Sequence, residues 1–184
     1  WGDWGSDGGW ILLAWDSTWP DLAWYGARTG YFTPLLLKSS DGGQSWTRMD
    51  AGSSSLAHLS LAVDPADSAR VFSGMSGRVV RSNDGAESWE TILEGTAPHM
   101  FGLAVSALEP GRVYAAGAGS LESPDPRPLV FHVSVDGGDT WRLVANESVQ
   151  YGGVLTLVLV EDEDAQVLYF GTHEGVYAFA VNPG

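Results

Sequence analysis

Ser39-Ser40-Asp41-Gly42-Gly43-Gln44-Ser45-Trp46 is followed by two close copies: Ser82-Asn83-Asp84-Gly85-Ala86-Glu87-Ser88-Trp89 and Ser134-Val135-Asp136-Gly137-Gly138-Asp139-Thr140-Trp141. The shared pattern is Ser-x-Asp-Gly-(Gly or Ala)-x-(Ser or Thr)-Trp. The aspartates stand 43 and 52 residues apart, a period typical of stacked supersecondary units. Each position has a physical role. The Asp carboxylate can accept backbone N–H groups across a tight turn. The Gly after it supplies positive φ at no steric cost. The Ser or Thr hydroxyl satisfies a further backbone group, and the Trp is expected to pack between neighbouring sheets.

Working outward, a second repeat precedes each copy: an apolar strand, an acidic or Pro-containing turn, then a strand ending in Gly. It reads Ile11–Asp16 with Leu22–Gly26, Leu59–Asp64 with Val71–Gly74, and Phe101–Ser106 with Val113–Gly117. A fourth version, Thr156–Glu161 with Leu168–Gly171, has no octapeptide after it. In the second unit four strands are predicted at about Leu59–Val63, Val71–Ser73, Arg78–Ser82 and Ser88–Leu93. No stretch holds a helical period over ten or more residues, so the chain is expected to be all-β.

The three octapeptides resemble the Asp-box of the bacterial neuraminidase repeat family, which includes sialidases, xyloglucan-type endoglucanases, sortilin-like receptors and photosystem II assembly factors. The resemblance implies a β-propeller of four-stranded antiparallel blades. About four blades fall in this chain, as a partial ring or one completed by an oligomer. One propeller region is expected over 1–184, with units at about 11–50, 56–95, 100–147 and 154–181. Residues 1–10 are a candidate closing strand, because the fourth unit ends at Val181 without a fourth strand of its own. Asp41, Asp84 and Asp136 are then structural turn residues, and Trp46, Trp89 and Trp141 core. Six of the nine tryptophans lie within the first 24 residues, and among them Trp15 and Trp24 are expected between blades.

The blade topology puts the first-to-second and third-to-fourth strand turns on one face. The opposite face carries the second-to-third strand loops (Arg28–Pro34, Ser76–Gly77, Gly119–Pro128, Thr172–Gly175) and the inter-blade links (Ala51–His58, Gly95–Met100, Asn146–Gly153). Loops on a rigid scaffold are where binding tends to reside. The candidate binding residues are Arg28, Tyr31, Phe32, His58, His99, Pro124, Arg127, His173 and Glu174. His58 and His99 sit in corresponding links, a placement that raises a metal site near the channel without supporting one by ligand spacing.

Charge and composition exclude several classes. The net charge is −14, with eight arginines and one lysine, Lys38. Such a chain is repelled by phosphate backbones, so no nucleic-acid partner is expected. The longest apolar stretch, Val154–Val160, is too short to span a bilayer. No cysteine is present, which removes disulfides and thiolate chemistry. No cofactor is expected. The acidic turn Glu161-Asp162-Glu163-Asp164 offers Glu161, Asp162 and Asp164 as oxygen ligands to Ca²⁺, although such runs are more often solvated turns.

Enzymatic readings fit poorly. The early arginine motif of sialidases is missing. In the xyloglucan-type enzymes a catalytic Asp follows an Ala-Arg-Thr-like stretch, and here Ala27-Arg28-Thr29 is followed by Gly30. The expected function is therefore a non-catalytic, extracytoplasmic (secreted or periplasmic) scaffold or assembly subunit. It would bind a protein partner or associate with itself to complete the propeller. The alternative is a carbohydrate-active module related to the family's glycoside hydrolases.

Overall fold

The computed structural model describes residues 11–15, 18–29, 33–49, 58–95, 99–118, 127–151, 153–162 and 164–181. The candidate closing strand at 1–10 lies outside them, as do Tyr31, Phe32 and Pro124. The first sheet is β1 (Ile11–Trp15), β2 (Ala23–Thr29), β3 (Thr33–Ser39) and β4 (Thr47–Met49). The second is β5 (Ser60–Asp64), β6 (Asp67–Met75), β7 (Arg78–Ser82) and β8 (Glu90–Glu94). The third is β9 (His99–Val105), β10 (Val113–Ala118), β11 (Arg127–Ser134) and β12 (Arg142–Tyr151). The fourth has β13 (Val154–Glu161), β14 (Gln166–Thr172) and β15 (Gly175–Val181).

Every sheet is an antiparallel meander in chain order, and no helix occurs among the described residues. The first strands β1, β5, β9 and β13 pack against one another in that order. These are four blades of a β-propeller. The fourth sheet has three strands, as expected from a unit without the octapeptide.

The core lies between blades: the second and third sheets bury one face against the preceding blade and the other against the next, while the first and fourth each share one described seam. Trp24, Val63 and Val71 fill the first seam, joined by Trp89. Phe72, Met100, Leu103 and Val113 fill the second, joined by Trp141. Tyr114, Leu129, Phe131, Leu168 and Phe170 fill the third. Strand alternation dictates this two-sided pattern.

Two tryptophans expected in the core are not buried. Trp15 is 67% exposed and Trp46 39% exposed. Both belong to the first blade, and no described blade precedes it to cover them. Trp46 instead meets Tyr25 edge-on, with ring centroids 6.3 Å apart.

Two of the expected loops are partly strand. β12 runs through most of the supposed link 146–153, so the hairpin β11–β12 extends to Arg127 opposite Tyr151. Asn146 Oδ1 accepts the Ser148 N–H (3.2 Å) and hydroxyl (2.6 Å) where the register shifts between Pro128 and Leu129. The side chain thus shapes a bulge rather than a chain exit. Arg28 likewise lies in β2, opposite Pro34 of β3.

Candidate functional site

The three octapeptides fold into one turn repeated almost atom for atom. Ser39 Oγ donates to Asp41 Oδ1 (2.8 Å) and accepts the Gly43 N–H (2.8 Å). Asp41 Oδ1 also accepts the Ser45 N–H (2.8 Å), and Oδ2 accepts the Ser45 hydroxyl (2.6 Å). Ser82, Asp84, Ala86 and Ser88 repeat the pattern. So do Ser134, Asp136, Gly138 and Thr140. Trp46 and Trp141 donate their indole N–H to the carbonyls of Gly43 and Gly138 (3.1 and 2.9 Å).

Each turn is also tied to the first hairpin of its own blade. Gly42 N–H reaches the Asp21 carbonyl, Gly85 that of Ala69, and Gly137 that of Gly111, at 2.8–3.0 Å. These ties place the two kinds of turn together at one end of each blade, the arrangement expected from the topology.

The fifth motif position takes positive φ in every copy: Gly43 (86°), Ala86 (72°) and Gly138 (96°). At Gly43 an added Cβ would lie 3.7 Å from Trp46 Cζ2, ordinary contact, whereas at Gly138 it would lie 2.7 Å from Ile92 Cδ1. Gly43→Ala is therefore expected to cost about 1 kcal/mol of left-handed strain. Gly138→Ala adds overpacking and costs about 2–3 kcal/mol. Thermal melts of the two variants check the order.

The box carboxylates are held ionised by their partners. Asp41, Asp84 and Asp136 are each lowered from 3.8 to about 2, first by the hydroxyl of Ser45, Ser88 or Thr140, then by that residue's N–H and by the motif's leading Ser. A lowered carboxylate pKa contributes stability that is present above its ordinary value and lost as pH falls through the folded one. The melting temperature should thus fall as pH drops from 3.8 towards 2. Ser88→Ala removes the largest cause at Asp84 and should flatten that fall; an unchanged profile would show that the turn does not govern it.

These bonds leave the box aspartates with structural work. Between blades 2 and 3, Asp136 borders an open groove of about 540 Å³ lined also by Asp67, Arg70, Arg81, Asn83 and Asp139 among others. Its charges are largely paired. Arg81 Nη1 donates to Gly137 O (2.6 Å) and Asp139 Oδ1 (2.8 Å) across the seam, while Nε and Nη2 hold Glu90. Arg70 pairs with the buried Asp64 at 3.0 Å. Arg81 is thus a tie between blades, which its place in a strand pattern did not reveal.

The acidic turn is used in a comparable way. Glu161 Oε2 accepts the Ser106 hydroxyl at 2.7 Å, and Oε1 accepts the Ala107 N–H, both on blade 3. Asp162 Oδ1 accepts the Asp164 and Ala165 N–H groups of its own turn. Glu163 lies outside the described residues. Among the described residues no group of three or more His, Asp or Glu side chains converges as metal ligands.

On the opposite face the candidates separate. His58 is 1% exposed, in the interior rather than on the loop surface. Its Nδ1 sits 2.6 Å from Ser73 Oγ, its ring lies 5.7 Å from Trp89, and Ser73 donates onward to Ser60 O. His99 Nδ1 lies 3.2 Å from Ser76 Oγ, with its ring against Phe101. His58 and His99 are thus each engaged by a serine of blade 2.

His173 and Glu174 are exposed in the β14–β15 turn, whose Thr172 hydroxyl donates to Gly175 O and accepts the Glu174 N–H. Glu94 is exposed beside the Gly95 N–H, which bonds Gly77 O at 3.0 Å. The sequence reading missed His132. It is buried in β11, where desolvation lowers its pKa.

No protein-family model matches the chain, and no curated protein does. Solved structures do. An ancestral GH74 enzyme superposes at TM-score 0.70 with 19% identity, over 93% of this chain and 23% of that one. The fold is what they share. A chain of a nidogen/laminin complex gives 0.69 at 12% identity, over 92% of this chain and 59% of that one. YCF48 bound to D1 peptide gives 0.60 at 16%, over 95% and 52%. The chain spans about a quarter of the GH74 enzyme and just over half of the other two. No helix among the described residues is long and apolar enough to cross a membrane.

Proposed function

We propose that the chain is part of a non-catalytic Asp-box propeller that holds a protein partner on the loop face, outside the cytoplasm. The carrying observation is the use of the box side chains. Asp41, Asp84 and Asp136 are spent on their own turns, so chemistry has to be sought on the other face. The described residues there include the exposed acidic Glu94 and Glu174. With a net charge of −14, that face suits a basic partner surface, drawn in electrostatically and weakened by salt. Two structures of the same fold are complexes, with laminin and with a peptide, which supports the reading at the level of what such blades can do. The location rests on the family resemblance.

The test is binding of the partner recovered from the native complex. Charge reversal of both acids, Glu94→Lys with Glu174→Lys, should weaken binding at least tenfold at low salt, and less at high salt. An unchanged Kd overturns the loop-face reading.

The likeness to a GH74 enzyme supports a second reading, a carbohydrate-active module that works with further blades. Release of reducing ends from xyloglucan or another β-glucan by the purified chain would favour it over the first.

A further inference from the structure

We infer that a groove between blades 1 and 2, at the end that carries the box turns, binds a free amino acid with an apolar side chain, its carboxylate on Lys38 and its ammonium on Asp21. The groove is open and holds about 310 Å³, at the small end of the range of about 300–1,000 Å³ for small-molecule sites. Its lining joins Trp19, Pro20 and Leu22 to Asp21 and Lys38, with Ser68 contributed by blade 2. Trp19 is partly exposed there.

The two charges of this groove are unspent. Lys38 is the chain's single lysine. Its ammonium lies over the Trp24 ring, 5.0 Å from the centroid, and enters no ion pair or hydrogen bond among the described residues. The Asp21 carboxylate has no such partner among them either; its backbone carbonyl accepts the Gly42 N–H. The next seam shows the contrast. Lys38 stands opposite Trp24 as Arg81 stands opposite Phe72, so the two cations are equivalent. Arg81 is taken up by Gly137 O, Asp139 and Glu90. Where Arg81 has Glu90 across the strand pair, Lys38 has Thr47. At the tie to the box turn, the place of Asp21 is held by Ala69 in blade 2 and Gly111 in blade 3. The combination of unpaired acid and unpaired cation is thus peculiar to blade 1 among these three.

Two opposite charges that do not reach each other, beside an aromatic and aliphatic wall, complement a zwitterion. A simple carboxylate would meet Asp21 and a net charge of −14. A simple amine would meet Lys38. An α-amino acid is neutral overall and offers one charge to each, while its side chain buries apolar area along Trp19, Pro20 and Leu22. No box aspartate lines this groove, so the turn bonds stay as they are. Both charges face solvent and are screened, which sets a Kd on the order of 1 mM. The site is separate from the loop face assigned to a protein partner above.

The test is titration of the 184-residue chain with L-phenylalanine, followed by NMR at Trp19 and Lys38. Saturable shifts at both are expected. Phenylpropionate and phenethylamine, each lacking one of the two charges, should bind about fivefold more weakly. Lys38→Gln should weaken phenylalanine about fivefold without weakening phenethylamine, and Asp21→Asn should weaken phenylalanine without weakening phenylpropionate. Lys38→Arg keeps the charge and should keep the binding. The Asp21 side chain is exposed and makes no bond among the described residues, so its variant stays folded even where Lys38→Gln loosens the Trp24 contact. No saturation at twentyfold the expected Kd, shifts centred away from Trp19 and Lys38, an analogue that binds as tightly as phenylalanine, or variants without the opposite preferences would each overturn the site. The Glu94→Lys and Glu174→Lys pair should leave phenylalanine binding unchanged, so the two proposals fail separately.

Discussion

Phe131→Ala is expected to lower the unfolding free energy by about 4 kcal/mol, from lost burial plus the cavity left behind. Phe131 is 1% exposed in the third seam. Its ring lies 5.2 Å from both Phe170 and Phe179 of blade 4 and 6.4 Å from Tyr114 of its own blade. Removing it takes away the central ring of a four-ring cluster that joins two sheets. The neighbours sit on strands paired along their length, so they cannot collapse into the gap. Phe131→Leu keeps most of the volume and should cost about 1.5 kcal/mol or less. Leu108→Ala, at a 50% exposed turn position, should stay within about 0.5 kcal/mol. Urea unfolding of the three variants gives the order, and a loss below about 2 kcal/mol for Phe131→Ala would contradict the tight seam.

Gly74→Ala is expected to cost about 3 kcal/mol through overpacking against backbone. A Cβ there would stand 2.2 Å from the Met100 carbonyl oxygen and 2.3 Å from Ser60 Oγ. The carbonyl belongs to β9 of the next blade and accepts the Ser60 hydroxyl at 2.9 Å. The methyl therefore pushes two inner strands apart and breaks the hydrogen bond between them. Gly171 is the informative contrast, because it holds the same register position in blade 4. An added Cβ there meets mainly Thr156 Cγ2, at 2.5 Å, and Thr156 is an exposed residue. A side chain that can turn away makes Gly171→Ala the milder change, by about 1–2 kcal/mol. Equal losses in the two variants would argue against backbone contact as the cause.

Much of the fold was legible because the octapeptide carries its own instructions. Ser39, Asp41 and Ser45 lie within a few residues of one another, and their bonds are local. The strand order followed from the spacing of such turns. What was not legible depends on neighbours far along the chain. Trp24 and Trp15 are both strand tryptophans of the first blade, yet one is fully buried and the other 67% exposed. Only the presence or absence of a covering sheet distinguishes them. His58 looked like a link residue, and the fold turned it inward onto Ser73. Arg81 reads as an ordinary strand cation until the third blade brings Gly137 and Asp139 to it. The candidate site was less legible for the same reason: binding faces are assembled from loops, and loops carry few local rules.

The tie between each box turn and its own first hairpin has a consequence for how such chains change over generations. Gly42, Gly85 and Gly137 reach back to Asp21, Ala69 and Gly111 within the same blade, so a blade keeps its outer edge in place with its own atoms. A unit of that kind can be duplicated, lost or reshuffled without new partners being found for its edge. Between the few fixed turn residues, the strands need only remain apolar at alternate positions. The path of this chain superposes on that of an ancestral GH74 enzyme at a TM-score of 0.70 with only 19% of residues identical.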